Sequence, residues 1–327
     1  MTTALFNHID TSTQPTGSST KPWSKVDGGG VSFKFNQVSR PVHNLRVEAA
    51  KEGAEFGTDV SGFTTFHWPS REKDFVDDSA VRGAYYEDVE ALLRADCERL
   101  PSNNNNIGVK NKVKKVVIFD HTIRRRDPDA PRGPVQQVHV DQTAAAAVAR
   151  VRRHLPPDEA EDLLKNHRFQ LINVWRPIGH AASDHPLAVV DWRTTSPRDF
   201  VPVDLLYPKR PDSVLDDDGD DRGREAKALR ADDPFSTEGY EVRGETMGVA
   251  ASENHRFYYV KDMTPDEVLL LKCYDSWGEG EPGDRNRGER MRIAVRTPHT
   301  AFVDPDTPAD AKPRQSIEVR ALVFYEQ

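Results

Sequence analysis

The residues best placed to do chemistry are His139 and Asp141, one residue apart in the extended-looking run Val135-Gln136-Gln137-Val138-His139-Val140-Asp141. On a β-strand, residues i and i+2 point to the same face, so an imidazole and a carboxylate project into one space. A second histidine from elsewhere makes a two-histidine, one-carboxylate set, which occupies one face of an octahedral metal and leaves three positions open. That arrangement suits non-haem Fe(II) oxygen chemistry. The alternative is a surface ion pair. His8-Ile9-Asp10 has the same form, but it lies in a polar stretch where nothing preorganises a ligand.

The third ligand must come from another strand, and His299 in Pro298-His299-Thr300-Ala301-Phe302 is the candidate. In the strand that follows, Arg314, Ser316, Glu318 and Arg320 fall on one face, and Ile317, Val319, Ala321 and Val323 on the other. An inward-facing arginine needs a partner, and a carboxylate matches its fork in a bidentate way. Ser316 is placed to donate to the same carboxylate. The alternative is an edge strand whose polar face is solvated, with Glu318 pairing the arginines. Arg124, in the basic run Arg124-Arg125-Arg126, is a candidate for binding a substrate carboxylate; a solvated turn before Asp127-Pro128 is the competing reading. Asn173, Trp175 and Arg176 lie on or just beyond a strand that follows the metal motif and are candidate pocket residues. Trp175 equally suits a plain core position.

These side chains need elements to hold them. Strand patterns occur over 115–120, 135–141, 168–175, 186–192, 255–260, 268–274, 291–295 and 317–325, and helical spacing over 78–100 and 143–154. Pro156-Pro157 ends one helix and Asp158-Glu159-Ala160-Glu161 opens another. Many short strands, helices concentrated in the first half and a strand at the very end favour a mainly β fold with flanking helices and a jelly-roll core. Residues 1–22 are polar and aperiodic and read as a mobile tail. Residues 23–327 read as one domain interrupted by polar loops near 209–254 and 278–290.

Composition narrows the function classes. The 327 residues carry 45 Lys and Arg against 53 Asp and Glu, a net charge of −8. Such an acidic balance argues against nucleic acid as the main partner, because neutralising phosphates needs clustered basic surface. The mean hydropathy of −0.70 reflects a core diluted by polar stretches. No apolar run approaches the roughly 20 residues that span a bilayer. Without a secretory signal pattern, and with only Cys97 and Cys273, the chain reads as cytoplasmic.

Several runs together resemble one family. Phe119-Asp120-His121-Thr122-Ile123-Arg124-Arg125, His139-Val140-Asp141-Gln142, Asn173-Val174-Trp175-Arg176-Pro177-Ile178, Asp262-Met263-Thr264-Pro265-Asp266-Glu267 and Ser316-Ile317-Glu318-Val319-Arg320 occur in the order seen in Fe(II)/2-oxoglutarate-dependent dioxygenases. More specifically, they resemble the fungal hydroxylase/desaturase group, and the resemblance covers about residues 60–327. It implies a double-stranded β-helix holding Fe(II) through His139, Asp141 and His299. It also implies 2-oxoglutarate and O2 as co-substrates, with the far carboxylate of 2-oxoglutarate on Arg314 and Ser316, and Arg320 competing for it. Arg314 follows His299 at a greater distance than in many relatives, and Asp304-Pro305-Asp306-Thr307-Pro308 looks like the insertion that absorbs the excess. The implied activity is oxidation of an unactivated C–H bond of a small molecule in secondary metabolism, by hydroxylation, desaturation or ring closure. A metal-independent jelly-roll module that binds an anion is the alternative.

Overall fold

The computed structural model describes residues 1–13, 21–26, 30–98, 112–126, 133–209, 235–278 and 293–326. In chain order the first strands are β1 (Thr2–Ile9), β2 (Trp23–Lys25), β3 (Phe35–Asn44), β4 (Phe63–His67), β5 (Val113–Arg125) and β6 (His139–Val140). They are followed by β7 (Phe169–Pro177), β8 (Leu187–Val190), β9 (Phe200–Pro208), β10 (Tyr240–Val249) and β11 (Phe257–Tyr259). The last are β12 (Glu267–Asp275), β13 (His299–Ala301) and β14 (Gln315–Tyr325). The α-helices are α1 (Leu45–Glu48), α2 (Asp78–Ala80), α3 (Tyr86–Cys97), α4 (Ala144–His154) and α5 (Pro157–Asn166).

Two sheets form. The larger runs β1-β3-β11-β8-β13-β6-β10-β9-β2 and the smaller β4-β12-β7-β14-β5. Between them, Leu171, Trp175, Leu269, Leu271 and Leu322 of the smaller sheet meet Leu187, Val189 and Tyr258 of the larger. Period-2 alternation sends Ile172, Val174, Val319 and Val323 to the other face, where Val89, Leu92 and Leu93 of α3 cover them. Strand β7 is therefore buried along its whole length. The far face of the larger sheet buries Val138, Val140, Ala188 and Val190 with Phe6, Phe257 and Phe302. This is a mainly β architecture with flanking helices around a double-stranded β-helix, as the element pattern led us to expect.

The N-terminus departs from that expectation. Residues 1–22 read as a mobile tail, yet Thr2–Ile9 is a strand paired antiparallel with β3, and Val138 N–H donates to Asn7 O at 2.9 Å. Its buried face combines Thr2, Ala4, Phe6 and His8, and two polar members hid the alternation. Gly248 of β10 permits the close approach, since a Cβ there would stand 3.0 Å from Ile9 Cδ1. The loop expected over 209–254 is also corrected. Residues 210–234 lie outside the described residues, but Tyr240–Val249 forms β10 and pairs with both β9 and β6. Charged residues around a bulge between Val242 and Glu245 masked its strand pattern. The loop expected near 278–290 lies almost wholly outside the described residues, and Cys97 and Cys273 are buried and unpaired.

Two outcomes test the docked N-terminal strand. Phe6 stacks on Phe257 at 4.0 Å and is 1% exposed, so Phe6→Ala should cost about 3 kcal/mol in chemical denaturation. A mobile tail would make it neutral. His8 is fully buried, with Nδ1 at 3.1 Å from Val249 O. Burial, with His255 and Arg40 nearby, lowers its pKa to about 4. Between that value and about 6.5 the unfolded chain binds a proton that the folded chain refuses, so stability falls as pH drops through this window. The loss approaches about 3 kcal/mol, and His8→Phe should flatten that part of the pH–stability curve.

Candidate metal centre

Strands β6 and β13 are neighbours in the larger sheet, with His139 directly opposite His299. Their ring centroids lie 4.4 Å apart. Asp141 follows β6, and the turn it occupies is fixed by Thr143, which caps α4 by accepting from Ala146 N–H at 3.0 Å. Asp141 Oδ1 stands 3.3 Å from His139 Nε2 and 3.6 Å from His299 Nε2. Neighbouring donors on an octahedral ion with bonds of about 2.1 Å lie roughly 3 Å apart, so the spacing suits such an ion.

Both imidazoles are oriented by the same local device. His139 Nδ1 lies 2.7 Å from Gln137 O and His299 Nδ1 lies 3.0 Å from Thr297 O, in each case the carbonyl two residues earlier. A carbonyl only accepts, so Nδ1 carries the hydrogen and the Nε2 lone pair faces Asp141. This is the tautomer a metal-ligating histidine needs. Asp141 is arranged in complement: Oδ2 accepts from Asn173 Nδ2 at 2.7 Å and Arg320 Nε at 3.1 Å, which leaves Oδ1 toward the histidines. Burial disfavours its charge, but the two histidines and Arg320 hold its pKa well below the usual carboxylate range. For His299, burial opposes protonation and the adjacent Asp141 outweighs it, raising the pKa. The donor set, its tautomers and its charge fit a divalent iron-class ion.

A cleft with about 410 Å³ of empty space, part of it open to solvent, runs from these three residues to Arg314. Arg314 is 2% exposed; its Nη1 donates to His185 O at 2.6 Å, and its Nε has no partner. Among the described residues its side chain meets no carboxylate at hydrogen-bond distance. Burial, and then the neighbouring Arg124, push its pKa down to about 9. Ser316 lies beside it and pairs in register with Arg124 of β5. Arg320 is engaged differently. Its Nη1 donates to Asp120 Oδ1 at 2.9 Å and Thr122 Oγ1 at 3.1 Å, and its Nη2 to Glu318 Oε1 at 2.8 Å.

The structure thus gathers His139, Asp141, His299, Arg314, Ser316, Arg124 and Trp175 around one cleft. Asn173 and Arg320 stand behind Asp141. Arg176 does not join them: strand alternation turns it to the opposite face of β7, where Nη1 and Nη2 donate to Pro265 O and Trp68 O, each at 2.6 Å. Sequence reasoning gave no role to Asp120 and Thr122. They share a strand face with Arg124, but only the β5–β14 register reveals that Asp120 stands opposite Arg320.

A family model described as an oxidoreductase/YMDC permease-like domain matches residues 10–218 and 224–324. A Fe(II)/2-oxoglutarate-dependent dioxygenase from Aspergillus novofumigatus, nvfI, is 31% identical over 76% of this chain and 69% of its own length. The chain belongs to the Fe(II)/2-oxoglutarate-dependent dioxygenases. This dioxygenase is also similar to the hydroxylase/desaturase efuI of Hormonema carpetanum, at 29% identity over 91% of this chain and 87% of the relative. The fold matches the solved iron and alpha-ketoglutarate-dependent endoperoxidase NvfI with a TM-score of 0.67, over 99% of this chain and 98% of the other, at 24% identity. No helix among the described residues is long and apolar enough to cross a membrane. The triad of this dioxygenase makes a direct prediction. His139→Ala and His299→Ala should each weaken Co(II) binding by at least about 100-fold in anaerobic titration, while His180→Ala should not.

Proposed function

We propose that His139, Asp141 and His299 hold Fe(II), and that Arg314 with Ser316 receives the far carboxylate of 2-oxoglutarate, for oxidation of an unactivated C–H bond of a small molecule in secondary metabolism. One observation carries this reading: an oriented two-histidine, one-carboxylate set shares a cleft with an almost fully buried guanidinium that, among the described residues, has no carboxylate at hydrogen-bond distance. A buried cation without a counter-charge in contact is costly, so an anionic ligand at Arg314 would relieve the site. The iron centre, when loaded, supplies the oxidising chemistry, with 2-oxoglutarate converted to succinate and CO2.

The chain's own share is positioning and water exclusion. Val135, Trp175, Leu187 and Ala301 give the cleft apolar walls, and Trp175 lies under Arg314 with its ring 5.8 Å from the guanidinium carbon. Arg124 was read from sequence as a substrate-carboxylate ligand. Its register opposite Ser316 favours the co-substrate end instead, so a carboxylate on the substrate is not needed to explain it. Because the ligands at 139 and 299 meet at one centre, and β1 is part of the sheet that holds them, we take the chain from β1 to β14 as a single catalytic unit rather than residues 23–327 alone. The two buried, unpaired cysteines support a cytoplasmic location.

The experiment is 2-oxoglutarate turnover under air and under argon. Succinate release should require both Fe(II) and O2. Arg314→Ala should raise the 2-oxoglutarate requirement by about 10- to 100-fold, well beyond any effect of Arg320→Lys. The reverse ranking would move the carboxylate partner to Arg320. Anion binding that persists in EDTA and in His299→Ala would favour the metal-independent module.

A further inference from the structure

Resting on the iron reading above, a second question is what fixes the one carboxylate among the ligands. A carboxylate binds a cation through one oxygen or two, and the choice changes the number of open positions at the ion. Here Asp141 Oδ2 is held from the smaller sheet by two donors on different strands, Asn173 of β7 and Arg320 of β14. Asn173 is fully buried, and the Arg320 side chain is 14% exposed. Neither is free to follow Asp141 if it rotates, because Asn173 sits in the fully buried β7 and Arg320 is tied at its other nitrogens to Asp120, Thr122 and Glu318.

The local charge points the same way. One guanidinium faces the three carboxylates of Asp120, Asp141 and Glu318. With neutral histidines this group carries a net charge of about −2, which a divalent ion on Asp141 Oδ1 would cancel. Four of Arg320's five N–H donors are engaged in that balance, so it lacks the pair of donors that a bidentate grip on a co-substrate carboxylate needs in this arrangement.

We propose that Asn173 and Arg320 are positioning residues that lock Asp141 Oδ2, so that Asp141 binds the metal through Oδ1 alone. They act through the ligand and touch neither the ion nor the substrate. The clamp predicts that losing either donor loosens the ion and lets the carboxylate swing toward two-oxygen binding.

The probe is Co(II) alone, titrated anaerobically into the metal-free full chain, with its visible absorption reporting coordination number. Asn173→Ala should weaken Co(II) binding by about 10- to 100-fold, the usual effect of losing a group that orients a ligand, and should change the band shape. Arg320→Lys keeps the charge but loses the Nε–Oδ2 bond, and it should show a smaller loss in the same direction. Metal-free Asn173→Ala loses a buried hydrogen bond to a charged group, so its thermal midpoint should fall, but it should stay folded at the titration temperature so that the affinity and band shape are read on folded protein. Wild-type affinity and spectrum in both variants would overturn the clamp. So would an affinity loss in Asn173→Ala that keeps the wild-type band shape, since that marks a structural role. Should Arg320→Lys not fold, Asn173→Ala decides alone. Failure of wild type itself to bind Co(II) would instead overturn the iron reading.

Discussion

Asp141 joins the two sheets at a single carboxylate. It follows β6 of the larger sheet, faces His139 and His299 with one oxygen, and accepts from Asn173 and Arg320 of the smaller sheet with the other. Most inter-sheet contact is non-directional apolar packing, which tolerates small sliding movements. Hydrogen bonds to a charged group do not, because they weaken steeply with distance and angle. The spacing of the two sheets is therefore pinned at the place where three ligand atoms must converge. Asp141's carboxylate stays ionised because its donors outweigh its burial.

The cleft has opposite electrostatic ends. At one end carboxylates outnumber the guanidinium of Arg320; at the other, Arg314 and Arg124 stand together, and Arg314's pKa is lowered to about 9 first by burial and then by Arg124. Such a gradient orients an elongated ligand that binds a cation at one end and presents an anion at the other. The same alternation, running from Arg314 just before β14 into the strand, supplies both ends: Arg314 and Ser316 line one and Glu318 and Arg320 meet at the other. Spacing of two residues along one strand thus sets the distance between the two functions.

Period-2 spacing made much of this legible. It put His139 with Asp141, and Arg314 with Ser316, Glu318 and Arg320, on common faces before any partner was known. It could not choose between Arg314 and Arg320, because the choice depends on which strand lies alongside. β5 brings Asp120 and Thr122 to Arg320, while among the described residues the Arg314 side chain hydrogen-bonds to the carbonyl of His185 and to no carboxylate. Arg176 was grouped with its neighbours by sequence proximity, although the same alternation turns it away from Trp175. The N-terminal strand was missed because its inward face includes Thr2 and His8, and because what covers it is remote in sequence: Phe257 and Phe302 against Phe6, and β10 against Ile9. β10 was hidden by the charges of Glu241, Arg243 and Glu245 and by Gly244, which occupy the exposed to half-buried outer part of a strand whose last four residues are buried.

The most direct measurement is an anaerobic titration of the metal-free chain with Fe(II) and then 2-oxoglutarate, followed by visible absorption. A weak charge-transfer band that saturates at one iron per chain, and that is absent in His299→Ala, is the predicted result. Tight 2-oxoglutarate binding with no such band, unchanged by EDTA, would contradict the account.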